Sequence, residues 1–97
     1  MKIVGINGSA RADGNTAMLL RAVFEPLEAA GHECELIQLA GQRVEGCTAC
    51  ALCRKNPDRT CQGRDDFGNE VIGAMDAADA IVLGSPVYFA DVTAEMK

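Results

Sequence analysis

The sequence predicts an α/β domain built on a parallel sheet, and three observations lead there. Apolar runs at 3–6, 33–39 and 80–84 alternate with two segments of helical period. A glycine-rich turn, Gly8-Ser9-Ala10-Arg11-Ala12-Asp13-Gly14, joins the first run to the first helical segment. Four cysteines follow in one polar stretch with neither period, Cys47-x2-Cys50-x2-Cys53-x7-Cys61. The order strand, helix, strand, long loop, helix, strand implies right-handed crossovers between parallel, doubly wound strands.

Taken in order, Ile3 to Ile6 reads as a buried parallel strand ended by Asn7-Gly8. Thr16 to Ala30 reads as a helix, because Leu19, Leu20, Val23, Phe24, Leu27 and Ala30 recur on one face. Asn15 is its expected N-cap and Gly31 its stop. Pro26 removes a backbone donor and crowds the carbonyl of Ala22, so a kink or early end is expected there. Glu33 to Leu39 is a second strand, at a sheet edge. Residues 40–65 carry the cysteines and no periodic element; a loop of that length is usually functional or disordered. Asp65 or Asp66 caps a second helix to about Ala78, with Phe67, Val71, Ile72, Met75 and Ala78 inward. Ala80 to Gly84 is a third strand ended by Ser85-Pro86, and Ala90 to Lys97 reads as the start of a third helix. A doubly wound sheet needs one or two more strands, so 1–97 reads as the truncated N-terminal half of one domain.

Composition narrows the function. The chain has 97 residues, 48% of them hydrophobic, and no low-complexity tract, so a single globular domain is expected. A formal charge of −5 argues against a nucleic-acid or anionic-membrane partner. The opening Met1-Lys2-Ile3-Val4-Gly5-Ile6 is too short for a signal-peptide core, and no stretch approaches the roughly 18 apolar residues of a membrane span. A cytoplasmic protein with reduced cysteines is expected, which favours metal or redox chemistry over structural disulfides. An incomplete sheet exposes an edge, so self-association into a homo-oligomer is expected as well.

A glycine-rich turn from a buried strand into a helix N-terminus is an anion site, because backbone N–H groups and the helix dipole face the ligand. Ser9, Asn15 and Thr16 add donors and Arg11 a cation. Asn15-Thr16 follows Gly14 without the lysine of a Walker A loop, and G-x-G-x-x-G is absent. A terminal monophosphate remains, against the plainer possibility of a turn that only connects.

The pattern Gly8-Ser9-x-Arg11-x-x-Gly14-Asn15-Thr16 after an apolar strand resembles the phosphate loop of the NAD(P)H-dependent FMN reductases of the flavodoxin-like superfamily. Gly84-Ser85-Pro86-Val87-Tyr88-Phe89 resembles that family's loop against the isoalloxazine ring. Together the matches cover nearly the whole chain. The resemblance implies a flavodoxin-like sheet of order 2-1-3-4-5 with FMN between strands one and three. It places Ser9, Arg11, Asn15 and Thr16 at the phosphate and Pro86, Val87, Tyr88 and Phe89 at the ring. Family members carry two further strands and a third flavin loop that this sequence lacks.

Three cysteines at x2 spacing put three thiolates on one loop, and Cys61 supplies a fourth. That run is an iron–sulfur pattern, whereas structural zinc sites more often use two separated C-x2-C pairs. Zinc and unligated, redox-active thiols stay open as alternatives. Arg43, Arg54, Lys55, Arg59 and Arg64 make the segment locally positive, which favours thiolates. Arg54, Lys55 and Arg59 are expected to offset the charge of a bound group. The motif resembles the cluster-binding segment of iron–sulfur flavoproteins, which implies a [4Fe–4S] cluster on Cys47, Cys50, Cys53 and Cys61. Cys34 reads as a small apolar residue of the second strand and His32 as a surface turn residue.

No Ser/His/Asp or paired-carboxylate catalytic arrangement can be argued from the sequence. The expected function is an FMN-dependent electron-transfer oxidoreductase relaying single electrons through the cluster, with NAD(P)H or a protein as donor or acceptor. The alternatives are an FMN or quinone reductase without a cluster, and a zinc-bound or inert, non-enzymatic half-domain.

Overall fold

The computed structural model describes residues 1–55 and 57–97. It contains strand β1 (Lys2–Asn7), helix α1 (Asn15–Ala29), strand β2 (Glu33–Gln38), a short 3-10 turn (Leu52–Arg54), helix α2 (Gly68–Ala77) and strand β3 (Ala80–Gly84). All three strands are parallel, in the order β2-β1-β3. That is the start of the 2-1-3-4-5 order expected from the resemblance.

The first strand is therefore the central one, and its sequence suits the place. Alternate residues face opposite sides of the sheet. Val4 and Ile6 pack with Ile37, Leu39 and Val71 in a core that Phe67, Ala74, Met75 and Ala78 of the α2 region cover. Ile3, Gly5 and Asn7 face α1, whose Ala17, Leu20 and Phe24 are buried. Gly5 lets α1 approach closely: a Cβ there would lie 2.4 Å from Phe24 Cζ.

Several expectations need correction. Asn15 is not the N-cap; it is the first helical residue, Gly14 holds the cap position, and no side chain caps the helix. The early end at Pro26 does not occur, because Ala30 N bonds Pro26 O and His32 N bonds Leu27 O, closing the last turn beyond the proline. Leu19 and Val23, expected inward, are exposed, since they lie beyond the edge of a sheet that ends at β3. Ile72 does not join the core; it faces the cysteine segment beside Glu45, Cys47 and Arg64. Residues 90–97 form turns and no helix. Thr93, at 1% exposure, explains this, because its backbone and side chain are both committed to other loops. His32 is half-buried, with Nδ1 3.1 Å from the N-terminal amine. Cys34 is half-buried too, and burial pushes its thiol up. Among the described residues, no helix is long and apolar enough to cross a membrane.

Candidate functional site

Two loops meet at the C-terminal ends of β1 and β3, where ligands sit in open α/β sheets. Gly8 N donates to Gly84 O at 2.8 Å, so the turn leaving β1 is fastened to the end of β3. Asn7, fully buried, organises that turn. Its Oδ1 accepts from Ser9 N (3.0 Å), and its Nδ2 donates to Gln38 Oε1 (2.7 Å). Gln38 Nε2 in turn donates to Ala12 O (3.0 Å), so the last residue of β2 holds the middle of the loop. Ser9 Oγ accepts from Arg11 N (3.1 Å).

These bonds leave the first-turn amides of α1 without a capping side chain. They open on a cleft of about 320 Å³ lined by Ser9, Arg11, Gly14, Asn15, Thr16, Pro86 and Tyr88. Uncapped helix amides, hydroxyls and one guanidinium make this end of the cleft an anion receptor. Tyr88 closes the other side, its hydroxyl accepting from Ala10 N at 3.2 Å. Of the eight residues expected here, six line the cleft. Val87 and Phe89 do not, and Phe89 is 94% exposed.

Sequence reasoning missed the residue that joins the two loops. Thr93 Oγ1 donates to Gly8 O (2.7 Å), and Thr93 N donates to Ser85 Oγ (3.0 Å), whose own hydrogen goes to Pro86 O (2.9 Å). One buried threonine thus sets the distance between the two walls. Nothing in the apolar pattern of 90–97 marks it.

The cysteine segment is clasped at its base. Phe67 N donates to Arg43 O (3.0 Å), Glu45 N to Asp66 Oδ2 (2.8 Å) and Arg64 Nη2 to Glu45 O (2.8 Å). Asp66 Oδ1 also accepts from Gly68 N (2.8 Å), but the N-cap of α2 is Phe67, so the cap expected at Asp65 or Asp66 falls one residue early and Asp66 ties down the turn before the helix. Cys61 is fixed to α2 through both backbone groups, N to Asn69 Oδ1 (2.8 Å) and O from Asn69 Nδ2 (3.0 Å). Cys47, Cys50 and Cys53 are exposed. Between them the backbone turns through left-handed positions at Ala49 (φ 59°) and Ala51 (φ 63°). Such conformations cost of order 1–3 kcal/mol each in a residue other than glycine, and they gather at functional sites.

The donor set is four thiols, which suits iron–sulfur ligation. A Cβ at position 63 would lie 2.8 Å from Cys50 Sγ, so Gly63 makes room for that thiol. Arg64 presses against Cys61 and, with the Gly63 backbone behind it, holds that thiol below its ordinary range. Arg64 Nε is buried without a hydrogen-bond partner among the described residues. Among the described residues, no three His, Cys, Asp or Glu side chains converge on a shared metal position. The donor set suits sulfur ligation in kind, while the described arrangement does not bring the thiols together. Of the cations expected to offset a bound group, Arg59 pairs with Asp76 of α2 at 2.5 Å, and Arg64 also lies beside the Cys61 thiol.

Comparison with known proteins accords with this geometry. The sequence profile described as NADPH-dependent FMN reductase matches residues 1–97. The chain is 40% identical over 97 residues to an iron-sulfur flavoprotein of Methanocaldococcus jannaschii, covering all of this chain and 49% of that protein. It is 39% identical to an iron-sulfur flavoprotein of Archaeoglobus fulgidus, covering 43% of it, and 34% identical to one of Methanosarcina thermophila, covering 49%. The chain thus spans about half the length of the curated relatives it matches. No solved structure matches.

Proposed function

The chain belongs to the NADPH-dependent FMN reductase family, and from that premise we propose that it forms the FMN-phosphate and cluster-binding half of an electron-transfer flavoprotein. The observation that carries the reading is the cleft at the β1 and β3 ends, where uncapped α1 amides face Ser9, Arg11 and Thr16 and Tyr88 stands opposite. The names of the similar archaeal proteins support a cluster on the cysteine segment of the same chain.

Bound FMN supplies a ring that exchanges electrons singly or in pairs, and a bound [4Fe–4S] group supplies single-electron relay. The chain's own residues do the rest. The amides of Asn15 and Thr16, with Ser9 Oγ, Thr16 Oγ1 and the Arg11 guanidinium, bind and charge-match a phosphate. Pro86 and Tyr88 orient a flat ring, and Val87 and Phe89 beside them offer it apolar surface. Cys47, Cys50, Cys53 and Cys61 supply thiolate ligands, with Arg64 favouring the anionic form of Cys61. NAD(P)H or a protein carrier is the expected electron partner.

The test is the visible spectrum of the chain reconstituted with FMN, iron and sulfide without oxygen, with metal and sulfide assays. Flavin bands plus a broad absorption bleached by reductant, with about four iron and four sulfide per chain, support the reading. Flavin without iron leaves a plain FMN or quinone reductase. Zinc alone, or no chromophore, leaves the non-enzymatic half-domain.

A further inference from the structure

Asn7 and Gln38 are register partners at the end of the β1–β2 ladder where the anion turn begins. Both side chains stand on the α1 face, because Ile6 and Ile37, one position earlier, face the α2 core. Asn7 is fully buried, with Oδ1 engaged by Ser9 N and Nδ2 by Gln38 Oε1. Gln38 passes the connection on: it accepts from Asn7 at 2.7 Å and donates from Nε2 to Ala12 O at 3.0 Å. The first half of the turn has other ties, Gly8 to Gly84 and Thr93, and Ala10 to Tyr88. Between Arg11 and Gly14, the backbone hydrogen bond found among the described residues is the one from Gln38.

The walls of the cleft show what this tether does. Arg11 and Gly14 line the cleft, while Ala12 and Asp13 between them do not. That stretch carries charge of the wrong sign for an anion site, the negative end of the Ala12 carbonyl and the Asp13 carboxylate. Asp13 Oδ1 meets Arg21 Nη1 at 3.3 Å, but both side chains are exposed, and such pairs hold weakly. Resting on the FMN-phosphate reading above, we propose that Gln38 is a positioning residue for ligand selectivity. Its Nε2, anchored through Asn7, keeps residues 12 and 13 out of the cleft, so a phosphate meets amides, hydroxyls and Arg11 without the Asp13 carboxylate. The turn is placed before the ligand arrives, so binding does not bear the cost of ordering it. Gln38 does not line the cleft and acts only through the turn. Its effect therefore falls on a flavin that carries a phosphate and spares one that does not.

The test compares FMN with riboflavin, the same ring without the phosphate, by fluorescence quenching in wild type, Gln38→Met and Gln38→Glu. Methionine keeps the length of the side chain and has neither amide group. Glutamate keeps an acceptor for Asn7 Nδ2 and lacks the donor for Ala12 O. It is measured in high salt, which screens its added charge, and it carries the test if the methionine variant does not fold. The expected result is FMN binding weaker by roughly three- to tenfold, the range of one net hydrogen bond, with riboflavin binding unchanged. Asp13→Asn should then strengthen FMN binding more in a Gln38 variant than in wild type, a coupling that a merely structural role would not produce. Equal loss for the two ligands, undiminished FMN binding in a folded variant, or the same Asp13→Asn gain in both backgrounds overturns the inference and leaves the function standing. Wild type that binds FMN no more tightly than riboflavin overturns the phosphate reading and the inference together.

Discussion

Asp66 shows how one side chain gathers a loop. The Glu45 and Gly68 amides, and then the guanidinium of Arg64, hold its carboxyl below the usual carboxylate range. A carboxylate with a depressed folded pKa contributes stability that is present above the unfolded value of about 3.9 and lost as pH falls through the lower folded value. Acidification through the folded value, below the ordinary carboxylate range, should therefore open the clasp, and Asp66→Asn should remove that dependence. Amide NMR of Glu45 and Gly68 reads it; signals that stay flat through the titration in wild type contradict the account. At the cleft, Arg11→Ala should weaken FMN binding by about tenfold, the scale of one charge-assisted hydrogen bond. Riboflavin, which lacks the phosphate, should bind wild type and variant equally, and fluorescence quenching measures both. Equal loss for the two ligands would place Arg11 away from the phosphate.

The elements depend on close approach. α1 rests on β1 only because position 5 has no side chain, so Gly5→Val should cost roughly 1–3 kcal/mol in urea unfolding. Phe24→Leu in the same chain should restore part of it, as contacting residues couple. The walls of the cleft depend on Thr93 in the same sense. Thr93→Val keeps the shape but strands the buried Gly8 carbonyl, a loss of about 1–3 kcal/mol. Thr93→Ser should retain most of the stability, and a Val variant as stable as wild type would rule out the strut. What the sequence made legible follows from range. The strands, α1, the anion turn and the cysteine spacing are local patterns, readable from neighbours. Arg64 meeting Glu45, 19 positions away, and Thr93 meeting Gly8, 85 positions away, are consequences of the fold and have no local sign. The inward set of α1 was misread for a related reason. Periodicity gives a face, but the width of the sheet decides how much of that face is covered.

On the scale of the whole molecule, β3 is an open edge. Ile81 and Leu83 stand exposed on one face, and Leu19 and Val23 border the other. An unpaired strand flanked by apolar surface is a template for another chain. The 97-residue chain should self-associate with rising concentration, and Leu83→Lys should shift it toward monomer; light scattering after size exclusion measures both. A wild-type chain that stays monomeric at high concentration contradicts this. The bond between Ala10 and Tyr88 spans 78 positions, and it crosses the cleft. Closing so long a segment is entropically late, since local helices and the β1–β2 pair form at shorter range. The pocket should thus be the last feature of the fold to appear, when β3 docks on β1. On the proposed function FMN would recognise a finished structure, so its concentration should alter the unfolding rate of this chain and leave the folding rate unchanged.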